Sequence, residues 1–143
     1  MGYRLLEGLT RADVAFRAEE ADLEELFRTA WRATLELMLP DASTLRAHER
    51  RGIALANPAA DLLLFDFLGE LIYYKDAEGL LLGLASLAVE GAPGGYRLRA
   101  EAAGEPADPT RHELGVDVKA VTLHRLAVER TPEGWQATVV LDV

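Results

Sequence analysis

The sequence contains no cysteine. Disulfides, zinc–thiolate centres and thiol nucleophiles are therefore excluded. Side-chain amides are almost missing too: Asn57 and Gln136 are the single Asn and Gln, and there are two methionines. Such depletion is found in thermophile proteins, and the preference for Arg over Lys fits either that origin or a GC-rich genome. Positive charge is scarce. Against 24 Asp and Glu stand 15 Lys and Arg, for a net charge of −9. Nucleic-acid affinity rests on neutralising phosphates with Lys and Arg, so no stable nucleic-acid binding is expected. An acidic chain suits a basic partner, a cation, or solubility alone. No apolar run approaches the ~20 residues that span a bilayer. The first residues, MGYRLLEGLTRADV, lack the apolar stretch of a signal peptide. A soluble, cytoplasmic protein without a membrane partner is the expectation.

Catalytic signatures are also missing. There is no G-x-S-x-G elbow, no P-loop and no G-x-G-x-x-G after a strand. The glycines of GAPGG (91–95) lie between two strand-like segments, without the helix N-terminus that binds phosphate. His48, His112 and His124 are scattered and form no ligand pair, so structural or surface roles are expected for them. Nothing supplies a nucleophile, an evident general base or an oxyanion donor. The expectation is a protein that is not an enzyme.

What is present is apolar material with clear periodicity. Half of the 143 residues are hydrophobic, enough for the core of one domain spanning 1–143. Tyr3–Glu7 and Val14–Ala18 read as short strands around a turn, Gly8–Asp13. Asp22–Met38 reads as a helix, with Leu23, Leu26, Phe27, Ala30, Trp31, Leu35 and Met38 at three- and four-residue spacing. Acidic residues sit in its first turn, where the helix dipole favours them. A loop, Asp41–Ala47, leads to a strand, His48–Ala56. Asn57-Pro58 then reads as an N-cap and first residue of a second helix reaching about Lys75. Its apolar residues cover most of the circumference, leaving a strip of Asp66, Glu70 and Tyr73. Such a helix must be covered on more than one side. Strands follow: Leu80–Glu90, Tyr96–Gly104, Val118–His124, Leu126–Arg130 and Trp135–Asp142. The order gives an α+β fold, with the helices held between two largely antiparallel sheets.

Three residues are candidates for chemistry. Alternation puts Trp135, Ala137, Val139 and Leu141 on one face of the last strand and Asp142 on the other. Asp142 adjoins the terminal carboxylate of Val143, with no Lys or Arg after Gly134. Two anionic groups so close repel unless a cation joins them or water solvates both. Hard oxygen donors of this kind suit Ca²⁺, Mg²⁺ or Mn²⁺. Asp13 closes a polar turn before an apolar-alternating strand, ordinarily a turn-residue position. Lys119 is one of two lysines and lies in VKAVTLH, where a solvated strand lysine is the ordinary reading.

With these residues in view, the chain resembles the archease family over nearly its whole length. Thr10–Val14 (T-R-A-D-V), Glu70–Leu80 (ELIYYKDAEGL), Gly104–His124 and Val139–Val143 (VVLDV) carry the likeness. The third, GEPADPTRHELGVDVKAVTLH, is similar to a G-E-x-x-D…H…V-K-A-V-T-Y-H stretch. The resemblance implies the same layered fold. It implies a divalent cation, with Ca²⁺ first in preference, held by Asp13, Asp142 and the main chain of Val143. It implies that Lys119 is functionally important. It further implies a protein cofactor that activates an RtcB-type RNA ligase, promoting its guanylylation and turnover in tRNA splicing and repair. The alternative is a general interaction or chaperone-like module with a structural cation. The N-terminal motif departs from the family: the usual His-Thr-Ala-Asp is here Gly8-Leu9-Thr10-Arg11-Ala12-Asp13, without the His and one residue longer.

Overall fold

The computed structural model of the protein describes residues 1–7 and 12–143. Most of the turn expected over Gly8–Asp13 lies outside them. Strand β1 (Gly2–Leu6) pairs antiparallel with β2 (Asp13–Glu20). Helix α1 (Leu23–Met38) follows, and its N-cap Asp22 accepts a hydrogen bond from the Glu25 amide at 2.8 Å. That satisfies one of the amides a helix start leaves open. Pro40, just past the last turn, prevents continuation. A single 3₁₀ turn, Ala42–Thr44, leads to β3 (Glu49–Asn57).

The second helix begins later than its sequence suggests. Asn57 remains in β3 opposite Tyr96, and its side-chain oxygen accepts from the Ala59 amide at 3.0 Å. This is an Asx turn leading into the helix rather than a cap upon it. Helix α2 spans Ala60–Glu78, and Gly79 ends it in the left-handed region at φ 67°, donating to the Lys75 carbonyl. Glycine enters that region at no steric cost. The β4 (Leu80–Ala92) and β5 (Gly95–Pro106) hairpin pairs as expected, with Arg97, Arg99 and Glu101 turned from the core and Leu98 within it.

The expected strand over Val118–His124 shrinks to β6 (Ala120–Val121). The backbone before it is held elsewhere. Gly115 and Val116 donate to the Met38 and Leu37 carbonyls at 2.8 Å, satisfying acceptors at the end of α1 instead of pairing in a sheet. After β6 the chain turns through Arg125, at φ 56°, into β7 (Ala127–Thr131) and β8 (Gly134–Asp142).

Two antiparallel sheets result, as the sequence led us to expect. In one, β1, β2 and β8 lie in that order, and both β6 and β7 pair with the far side of β8. The other has the order β3-β5-β4. The helices lie between them: α1 touches β2, β8 and β4, and α2 touches β3, β4 and β5 on one side and β6 and β7 on the other. Leu63, Leu64, Phe67, Leu68 and Leu71 of α2 are fully buried. Phe67 stacks on Phe27 and lies 4.8 Å from the Trp31 ring, centroid to centroid. The Trp31 indole donates to the Leu82 carbonyl at 2.9 Å, tying α1 to β4.

At Gly104 the β4 backbone leaves no room for a side chain on β5. A Cβ there would strike the Leu81 carbonyl, a backbone atom that cannot swing aside. Gly104→Ala should therefore destabilise the fold by about 3 kcal/mol, the upper end for an overpacked site, read as a lowered midpoint in urea unfolding.

Candidate functional site

Four residues singled out from sequence meet at one end of the first sheet. Asp13 and Asp142 are direct partners in the β2–β8 register. The Val143 amide donates to the Ala12 carbonyl at 2.8 Å, so the next pair along, Asp13 and Asp142, is of the non-hydrogen-bonded kind. Side chains come closest in such pairs, with Cα atoms about 4.5 Å apart. Asp142 instead turns its own backbone to β6, where its carbonyl accepts from the Lys119 amide at 2.8 Å and Ala120 lies opposite it. Both carboxylates are on the face away from the helices, because Phe16, Val139 and Leu141 point into the core.

Two like charges directly opposite each other cost stability unless something neutralises them. The donors on hand are the Asp13 and Asp142 carboxylates and the main chain of Val143. They are hard oxygens, which fit Ca²⁺, Mg²⁺ or Mn²⁺. Among the described residues no third acidic or His side chain joins them in a metal-ligand cluster. Water would complete any coordination shell.

The segment bearing Lys119 is anchored from behind by the other lysine. Lys75, in the last turn of α2, donates to the Asp117 carboxylate at 2.6 Å and to the Val118 carbonyl at 2.7 Å. It also pairs with Asp76 at 2.7 Å. Burial pushes the Lys75 pKa down, but hydrogen bonds to Asp117 and Asp76 outweigh that and raise it. The ammonium thus stays charged and holds residues 117–118 while Lys119, exposed, follows them into the site.

A model of the Archease protein family (MTH1598/TM1083) matches residues 3–143. The chain belongs to the archease family. It is 35% identical to a protein archease of Thermococcus gammatolerans over 133 residues, covering 92% of this chain and 93% of that one. A protein archease of Pyrococcus furiosus is 35% identical over 136 residues, with the same coverage. The solution structure of Methanobacterium thermoautotrophicum protein 1598 superposes with a TM-score of 0.83 at 31% identity, over 99% of both chains. The crystal structure of a Thermotoga maritima archease, described as a possible chaperone, shares the fold with a TM-score of 0.66 at 19% identity, over 98% of both chains.

Within this archease-family chain, one cluster had escaped a reading of residue types alone. Glu105, in β5, is buried together with His112. Its carboxylate pairs with Arg111, accepts from the Arg46 amide at 2.6 Å and lies 3.3 Å from His112 Nε2. The His112 Nδ1 accepts from the Asp108 amide at 3.0 Å, and its Nε2 lies between Arg111 Nη2 at 2.7 Å and the Glu105 carboxylate. Arg111 also donates to the Thr44 carbonyl at 2.9 Å. The cluster fastens the loop after β5 to the loop before β3. The sequence signal was a glutamate with a histidine seven residues on, and it lay inside the G-E-x-x-D…H stretch. His112 is thus structural, whereas His48 and His124 are exposed.

Burial pushes the Glu105 pKa up, but hydrogen bonds from Arg111, the Arg46 amide and His112 prevail and bring it from 4.5 to about 2. A pKa depressed by folding contributes stability that is present above 4.5 and lost as pH falls toward 2. In chemical unfolding between pH 5 and 2, the wild type should therefore lose stability more steeply than Glu105→Gln. At pH 7 the variant should be the less stable of the two.

Proposed function

We propose that this chain is a protein cofactor of an RtcB-type RNA ligase, promoting its guanylylation and multiple turnover, and that it is not itself an enzyme. The observation that carries the reading is the pairing of Asp13 with Asp142, with the backbone of Lys119 bonded to the same Asp142. These positions match the family motifs, come from three distant parts of the chain, and converge at one sheet end. Asp13, Asp142 and the main chain of Val143 would hold a divalent cation, Ca²⁺ by preference or Mg²⁺ or Mn²⁺. When bound, the cation neutralises the opposed carboxylates and offers a hard Lewis acid for phosphate oxygens. Lys119, held by its backbone to Asp142, presents an ammonium beside that site to the partner or its nucleotide. The net charge of −9 suits a ligase that must offer a basic mouth to RNA and GTP. Action in the cytoplasm, where such a ligase works, belongs to the same proposal.

A chaperone-like role is the second reading, and the Thermotoga maritima relative is described in those terms. Leu114 and Val116 favour some protein contact, because both are about two-fifths exposed on a loop pinned to the end of α1. The ligase assay separates the two readings.

Three measurements test the proposal. Divalent cation at a hundredfold over its dissociation constant should stabilise the fold by about 2.7 kcal/mol, seen as a raised melting temperature. Asp142→Ala should abolish that rise, and melts that are identical in every metal and in chelator would exclude the site. Lys119→Ala should change folding stability by no more than ~0.5 kcal/mol while sharply reducing stimulation of the cognate ligase. With labelled GTP, the wild-type chain in catalytic amounts should speed formation of the ligase–GMP adduct, the effect weakening from low to high salt. Adduct formation that is equal with and without the chain would overturn the cofactor reading.

A further inference from the structure

On the same outward face of the first sheet, two arginines stand opposite each other. Arg4 of β1 and Arg17 of β2 are direct register partners, a placement in which like charges repel. Neither takes part in an ion pair within the described residues. The Nε of Arg17 is shut off from solvent and has no hydrogen-bond partner there. A buried donor of this kind requires an acceptor. On the opposite, helix-facing side of the sheet, Arg32 of α1 lies 5.7 Å from the centre of the Tyr3 ring, which packs edge-on to the core residue Phe16. Gly2, Tyr3, Arg4, Arg17 and Glu19 contribute to a shallow depression of about 130 Å³. A chain with so few cations has thus set two of them face to face on one short edge-strand pair.

Glu19 is the group that would neutralise them from within. It lies opposite Gly2, diagonal to Arg4, is exposed, and forms no ion pair with either arginine. In the register it faces Gly2, one same-face position beyond the Arg4–Arg17 pair.

We infer that the Arg4–Arg17 pair binds a phosphate-type oxyanion, either free or carried by a nucleotide. A phosphate matches the planar guanidinium fork and accepts parallel hydrogen bonds from it. With close to two negative charges it neutralises both arginines, which one carboxylate cannot do. The site is separate from the carboxylate pair: Arg17 is four residues along β2 from Asp13, about 13 Å at strand rise. The inference goes beyond the cofactor reading and stands on different residues.

The test is a calorimetric titration of the whole chain with inorganic tripolyphosphate, GTP and guanosine. Chelator is present throughout, so that no cation at the carboxylate pair bridges to phosphate, and no ligase is added. Failure here therefore leaves the ligase assay untouched. Tripolyphosphate and GTP should bind and guanosine should not. Equal affinity of the first two assigns a site for phosphate alone, and tighter GTP assigns a nucleotide site. Arg4→Gln and Arg17→Gln should each weaken binding at least tenfold, and Arg4, exposed on the edge strand, is the variant least able to disturb folding. Glu19→Gln should strengthen binding severalfold by removing the neighbouring negative charge. The inference is overturned by a folded wild type that does not bind tripolyphosphate, or by binding that survives loss of both arginines. An RNA oligonucleotide that binds while tripolyphosphate fails to compete overturns it equally.

Discussion

Helix α2 is apolar around most of its circumference, and the architecture follows from the need to keep water away from more than one side of it. A one-sided helix is satisfied by a single sheet. Leu63, Leu64, Phe67, Leu68 and Leu71 are fully buried only because α2 touches strands of both sheets. At about 1.5–3 kcal/mol for each large apolar side chain taken out of water, these five residues outweigh any polar contact in the molecule. Helix α1 completes the middle layer through the Phe27, Trp31 and Phe67 rings and the bond from Trp31 to Leu82.

Once the middle layer is set, the first sheet must present Phe16, Val139 and Leu141 to it. Strand period then turns Asp13 and Asp142 outward together. A slip of one residue between β2 and β8 would bury one of these carboxylates and part it from the other. The site is therefore held by the same packing that holds the core. The anchoring behind it follows a similar logic: Lys75 lies in the last turn of α2, and its partly buried ammonium captures Asp117 and Val118 because few other donors are at hand in an acidic chain.

The outward face of that sheet carries two charge pairs of opposite sign. The carboxylates lie at the β8 end and the arginines four residues away along β2. Each pair is like-charged and directly opposed, which a sheet tolerates only where a counter-ion or solvent offsets the repulsion. The cation proposed for the first pair and the oxyanion inferred for the second would thus bind on one face.

Helix positions, the β4–β5 hairpin, the outward placement of Asp142 and the need for two covering layers were all legible in the sequence, because each rests on local periodicity or on total apolar content. The boundary at Asn57 was not: whether an Asn caps a helix or turns the chain before it depends on the partner strand, here Tyr96 of β5. The strand over Val118–His124 was over-read for a like reason, since the carbonyls at the end of α1 take amides of the preceding loop. Asp13 and Asp142 lie at opposite ends of the chain, so their meeting was implied by family resemblance and reached physically through the β2–β8 register alone. Arg4 likewise meets Arg17 through the β1–β2 register, while Glu105 meets His112 because the loop after β5 folds back on it. Composition and period determine which residues must be inside and which out; which outward residues become neighbours is decided by strand register, a tertiary quantity that no local pattern encodes.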